Sequence, residues 1–186
     1  MESVTLEIAI GKGREISSTA KEILIGADID IRALNEAKKT GIESVNVADA
    51  TKNLPYKTGA FEKVLIVLPY HPKSDLVPQM TQKDSIFWRE AVRVMKPTAE
   101  IEIFMGNNPG TPFRFASHPD IYNAHRLVFD VLKESGKFTQ AKCYKLSIEA
   151  AREIGSPIIN LILQKPKKSG LDIYRITAKK RPSQDN

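Results

Sequence analysis

The chain has 186 residues, 41% of them hydrophobic and 27% charged, with a formal net charge of +6. That length allows one domain with a real core, and the composition is that of a globular protein rather than a disordered or fibrous one. No apolar run approaches the ~18 residues a membrane span needs. The start, Met1-Glu2-Ser3-Val4-Thr5-Leu6-Glu7, lacks the basic and apolar regions of a signal peptide. Cys143 is the only cysteine, which excludes an internal disulfide and argues against a thiol-based zinc site. A cytoplasmic protein is expected. Much of the basic excess lies at the end, in Lys165, Lys167, Lys168, Lys179, Lys180 and Arg181. The division expected is therefore one domain over 1–168 and a solvated basic tail over 169–186, with a nucleic-acid groove as the alternative reading of the charge.

In chain order, Val4 to Ile8 reads as a short buried strand. It runs into a turn of small residues, Ala9-Ile10-Gly11-Lys12-Gly13, and then a weak helix over 16–22. Glycines 11 and 13 permit a sharp turn and a close approach of a ligand to the backbone, with a helix N-terminus facing that ligand. Strand two is Ile23 to Ala27, closed by Asp28. An acid there, about 20 residues past a glycine turn, is where nucleoside-binding α/β folds meet ribose hydroxyls. Ile31 to Thr40 has Ile31, Leu34 and Ala37 at helical spacing, Asp30 as N-cap and Gly41 as stop. Ser44 to Val47 is strand three, and 49–56 is a polar loop. Phe61 to Leu68 holds the all-apolar run of a central parallel strand. Pro69, Pro72 and Pro78 enforce a loop.

Asp84 to Met95 is a helix burying Ile86, Phe87, Ala91, Val92, Val94 and Met95, and Lys96-Pro97-Thr98 ends it. Strand five is Glu100 to Met105, and 106–120 is a long Gly-, Pro- and Asn-rich loop of the kind that is usually functional. A helix over 121–135, strand six over 138–148 and strand seven over 157–164 complete the chain. Strands alternating with helices predict an α/β fold, a three-layer α/β/α sandwich on a mostly parallel seven-stranded sheet. Only about a turn of helix separates the last two strands, too little for a parallel crossover, so strand seven is expected antiparallel.

These segments together resemble a class I S-adenosylmethionine-dependent methyltransferase, from about Val4 to Gln164. Five phrases carry the likeness. Glu7-Ile8-Ala9-Ile10-Gly11-Lys12-Gly13 matches an acid followed by alternating glycines. Asp28 ends strand two, and Asp49-Ala50 follows strand three. Leu54-Pro55-Tyr56 leads into strand four, and Trp88 to Pro97 matches the helix before strand five. The resemblance implies that S-adenosyl-L-methionine is the cofactor. Glu7, Ala9, Gly11 and Gly13 would lie along its methionine part, Asp28 would accept both ribose hydroxyls, and Ile29 would lie against the adenine. Asp49 would accept from the adenine amino group with Ala50 beside it, and the backbone at Leu68 would border the sulfonium. Two departures stand out. Ala9 replaces the first glycine and Ile10 adds a branched side chain; alanine is strained if position 9 needs a positive φ and tolerable if it needs only smallness. The chain also opens almost directly on strand one, where family members usually carry earlier helices. An open site, or one completed by a preceding segment or protein partner, is expected from that.

Leu68-Pro69-Tyr70-His71 falls where the family places substrate-facing groups. Tyr70 and His71 are candidates to stack on or deprotonate an acceptor, or belong to an ordinary loop. His118, Asp120 and His125 suggest substrate contact or a cap rather than a metal, and no metal site is expected. Gly-x-Gly-x-x-Gly is not completed after Gly11, and neither a phosphate-binding P-loop nor a Gly-x-Ser-x-Gly elbow occurs. The function expected is methyl transfer to a small-molecule or RNA acceptor. The alternatives are a catalytically degenerate binding protein of the same fold, or an effector or toxin domain cut from a larger protein.

Overall fold

The computed structural model describes residues 3–9, 22–40, 42, 44–67, 76–107, 124–154, 159 and 172–182. β1 (Ser3–Ile8), β2 (Glu22–Asp28), β3 (Ser44–Val47), β4 (Phe61–Val67), β5 (Met95–Asn107), β6 (Phe138–Lys145) and β7 (Asp172–Lys180) form one sheet in the order β3-β2-β1-β4-β5-β7-β6. Every neighbouring pair from β3 to β5 is parallel, and β7 runs antiparallel to both β5 and β6. Strand order reverses between β1 and β4, the place where open α/β sheets leave a crevice beyond their carboxyl ends.

Helices cover both faces. On one face Leu6, Ile8, Val64, Ile66, Ile101, Ile103, Met105 and Ile176 pack against α2 (Leu76–Met80), α3 (Ile86–Val94) and α4 (Ala124–Glu134). On the other, Leu24 meets Leu34 and Ala37 of α1 (Ile31–Ala37), while Leu65, Val67, Phe104 and Ile173 meet Ala151 of α5 (Ile148–Glu153). This explains why Val64-Leu65-Ile66-Val67 is apolar without alternation: successive side chains enter opposite layers, and all four are buried. Trp88 is fully buried, edge-on to Phe87 and Phe138 at 4.8 and 5.7 Å, and its indole N–H donates to the Met80 carbonyl at 2.9 Å. One buried acid, Glu102 on β5, pairs with Lys63 of β4 and Arg175 of β7.

Several expected elements moved. The last strand is Asp172–Lys180, not 157–164; Ile159 is helical, and the rest of that run lies outside the described residues. The stretch read as a solvated tail therefore contains a strand between β5 and β6. Two of its bases are met internally, Arg175 by Glu102 and Lys180 by the Met95 carbonyl at 2.7 Å, while Lys179 and Arg181 are exposed. β5 begins at Met95, so Lys96-Pro97-Thr98 belongs to an irregular strand start, with a register break between the Phe61↔Met95 and Lys63↔Glu100 pairs. α1 stops at Ala37 and tightens into a 3-10 turn over Lys38–Thr40, and Ile31 is 60% exposed rather than buried. β6 ends at Lys145, and α2 occupies part of the expected proline loop.

Thr98 has φ 64, a left-handed backbone that a β-branched residue disfavours. Relief of about 1–2 kcal/mol of strain, less about 0.4–1 kcal/mol of added unfolded-chain entropy, sets the expectation for Thr98→Gly. Its thermal midpoint should rise by about 2 °C. An unchanged or lower midpoint would show that the strain relieved does not exceed the unfolded-chain entropy added.

Candidate functional site

The carboxyl edge of β1, β2 and β3 brings three acids of the sequence reading together. Glu7 pairs in register with Gly26, and Asp28 follows two residues along β2 on the same face of the sheet. Glu7 is fully buried and Asp28 is 9% exposed. Asp28 Oδ1 accepts the Asp30 N–H at 2.8 Å, and the Asp28 carbonyl accepts the Ala48 N–H at 2.9 Å. These bonds fix the end of β2 and the exit of β3 against each other. Ile29 is half-buried just beyond. Asp30 then caps α1, accepting the Arg32 N–H at 2.9 Å, as the sequence predicts.

Ala9 closes β1 with its N–H donating to the Ala27 carbonyl at 2.8 Å, and its φ is 61. Position 9 thus needs a positive φ, and alanine adopts it at a cost of about 1 kcal/mol or more. The requirement is conformational, not only one of size. Gly11, Gly13, Leu68, Tyr70, His71, His118 and Asp120 lie outside the described residues.

Asp49 organises the turn after β3. Its Oδ1 accepts the Thr51 hydroxyl at 2.6 Å and the Thr51 N–H at 3.0 Å; its carbonyl accepts from Lys52 and Asn53. The Lys52 ammonium is 3.2 Å from Oδ2 but 80% exposed, so that contact is solvent-screened. Partial burial pushes the Asp49 carboxyl up, but these hydrogen bonds outweigh it and hold it below the ordinary carboxylate value. Ala50 is buried behind it.

The sequence reading missed what holds this turn. Glu90 on α3 accepts the Leu54 N–H at 2.8 Å, and Arg93, one turn on, donates to the Leu54 carbonyl at 2.8 Å and the Tyr56 carbonyl at 2.6 Å. The two side chains also bond each other, at 2.9 and 2.6 Å. Gln79 of α2 donates to the Thr51 carbonyl at 3.1 Å and accepts the Phe87 N–H at 3.0 Å. Tyr56 packs edge-on to Phe61 at 5.0 Å and its hydroxyl accepts from Asn46 at 3.2 Å. The signal was present as two separate phrases, Leu54-Pro55-Tyr56 and Trp88 to Pro97, whose contact spacing alone does not reveal.

His125, near the start of α4, stacks on Tyr174 of β7 with centroids 3.8 Å apart. Burial lowers its pKa, with Asp172 opposing and Arg126 assisting. It packs as an aromatic ring rather than acting as a cap. Among the described residues no helix is long and apolar enough to cross a membrane.

No family model matches the sequence, and no curated protein matches it. Solved structures do match by shape. KamB, a 16S rRNA methyltransferase, aligns with TM-score 0.68 at 15% identity over 97% of this chain and 88% of its own. A 16S rRNA (adenine(1408)-N(1))-methyltransferase from Catenulisporales acidiphilia, crystallised with S-adenosylmethionine, aligns with TM-score 0.64 at 14% identity over 100% and 88%. A S-adenosylmethionine-dependent methyltransferase from Methanosarcina mazei aligns with TM-score 0.60 at 15% identity over 98% and 94%. At these identities the likeness establishes the fold: a class I methyltransferase sheet with its reversed last strand.

Arg93 holds the Glu90 carboxyl below its ordinary value, with burial opposing and the Leu54 N–H assisting. A carboxylate depressed in the folded state stabilises above its ordinary pKa, and that contribution is lost as pH falls through the depressed value. Glu90 and Asp49 should therefore make thermal stability drop from about pH 5 downward. Glu90→Gln, which keeps an acceptor for the Leu54 N–H, should show a shallower drop in melts at descending pH; an identical slope would remove Glu90 from the acid response.

Proposed function

We propose that this chain is an S-adenosylmethionine-dependent methyltransferase acting on a small-molecule or RNA acceptor. The observation that carries the reading is the set Glu7, Asp28 and Asp49 at the carboxyl edge of β1, β2 and β3, beside the strand-order reversal. Methyltransferases of the same fold crystallised with S-adenosylmethionine or S-adenosylhomocysteine support it.

The donor set fits the cofactor. A nucleoside offers hydroxyl and amino hydrogens, and strand-end carboxylates accept them. Asp28, with its rotamer fixed by the Asp30 N–H, would accept from the ribose hydroxyls, and Ile29 would lie against the adenine. Asp49 would accept from the adenine amino group through Oδ2, displacing the exposed Lys52 ammonium, with Ala50 leaving room beside it. Glu7, Ala9, Gly11 and Gly13 would border the methionine part, and Leu68 the sulfonium. The cofactor, when bound, supplies an activated methyl group. The chain's task is then to orient the acceptor and exclude water, so a general base is optional. Tyr70 and His71 are assigned to the acceptor side on sequence alone.

The second reading, a binding protein of this fold that has lost catalysis, draws on one observation, the strained alanine at position 9. Calorimetric titration separates the two. Micromolar binding of S-adenosylmethionine and S-adenosylhomocysteine is expected, with at least about a tenfold loss in Asp28→Ala as charge-assisted hydrogen bonds disappear. No heat and no thermal shift at millimolar cofactor would overturn the enzymatic reading.

A further inference from the structure

The turn over 49–56 has almost no regular structure of its own, yet it carries Asp49 and Ala50. Its carbonyls and N–H groups are met by side chains from two helices across the sheet edge. Glu90 and Arg93 form a bidentate ion pair that takes the Leu54 N–H and the Leu54 and Tyr56 carbonyls. Gln79 bonds the Thr51 carbonyl with one end of its amide and the Phe87 N–H in the first turn of α3 with the other. Thr51 in turn donates twice to the Asp49 carboxylate, so the chain of bonds runs from α3 through Gln79 and Thr51 to one carboxylate.

We propose that Glu90, Arg93 and Gln79 are positioning residues that set the Asp49 carboxylate and the Ala50 backbone for recognition of the adenine edge. The inference rests on the cofactor reading above but goes beyond it. None of the three is placed against the cofactor; each acts on a backbone group of the turn. A guanidinium bound in a fork to a carboxylate and to two carbonyls holds those carbonyls in one geometry, which a flexible ammonium does not reproduce. Gln79 adds a consequence: α2 lies just after the segment that leaves β4, so the tether joins the acceptor-side segment to the adenine turn. A shift of α2 then changes the aim of Asp49.

The experiment titrates the full chain and variants with S-adenosylhomocysteine and with its hypoxanthine analogue, in which oxygen replaces the 6-amino group. Arg93→Met and Gln79→Met are expected to weaken S-adenosylhomocysteine by about tenfold, one hydrogen bond's worth of ordering, and to shrink the preference for adenine over hypoxanthine. Arg93→Lys should restore little of either. Lys96→Met is the control. It removes an ion pair to Glu62, whose other oxygen accepts the Val4 N–H at the opposite edge of the sheet. It should lower the thermal midpoint and leave affinity and preference unchanged. A purely structural role predicts that all variants lose midpoint alike and none loses preference, and that result overturns the proposal. Gln79→Met nearly conserves volume, so it tests the tether even if Arg93→Met fails to fold. Absence of S-adenosylhomocysteine binding by the unaltered chain would overturn the cofactor reading and this proposal with it. Binding with the adenine preference intact in folded Gln79→Met and Arg93→Lys would overturn this proposal alone.

Discussion

The arrangement of the sheet depends on one buried acid. Glu102 lies on β5 with Lys63 of β4 on one side and Arg175 of β7 on the other, and only 4% of it is exposed. A lone carboxylate so placed would be strongly penalised; two cations from different strands make the position tolerable. The pairing ties the antiparallel strand β7 to the parallel block. Arg175 also lies over the Phe104 and Tyr144 rings at 6.0 and 5.8 Å, so its plane is held from both flanking strands. With β7 registered against β5 and β6 in this way, β5 is covered on both edges, and its carboxyl end points toward the same rim as β1 and β4.

That rim carries one of the three left-handed non-glycine residues among those described, the others being Thr98 and Gln140. Glu7 is wholly buried, Asp28 is nearly so, and Ala9 holds a left-handed backbone. Other polar groups have plain structural roles: Asp30, Ser85 and Ser147 cap helices, and Glu62 and Lys96 pair near the surface. Backbone strain such as that at Ala9 persists only where the surrounding structure over-determines it, here with the Ala9 N–H bonded to the Ala27 carbonyl.

What the sequence made legible was the part governed by local rules. The unbroken apolar run Val64 to Val67 marked a doubly covered strand, Asp30 marked a cap, and Ser44 to Val47 was bounded correctly. The last strand was hidden because two of its residues, Arg175 and Lys180, look solvent-facing until Glu102 and the Met95 carbonyl are known to lie opposite. The more hydrophobic run at 157–164 then looked like the better strand. The irregular start of β5 was equally hidden: Pro97 suggested a terminator, and nothing local says that Met95 pairs with Phe61. At the site, the acids were visible because strand-end position follows from strand placement. The clasp on the Asp49 turn was not, since Glu90 and Arg93 reach backbone groups 36 to 39 residues away.

The distance between those two kinds of residue bears on how the fold serves different acceptors. Asp28 and Asp49 belong to the half of the sheet built from β1 to β3, the half proposed to hold the nucleoside. The segments proposed to meet an acceptor leave β4 and β5, and among the described residues side chains of α2 and α3 reach across to the Asp49 turn. Through Gln79, Glu90 and Arg93 the two helices hold the Asp49 turn by the backbone of Thr51, Leu54 and Tyr56.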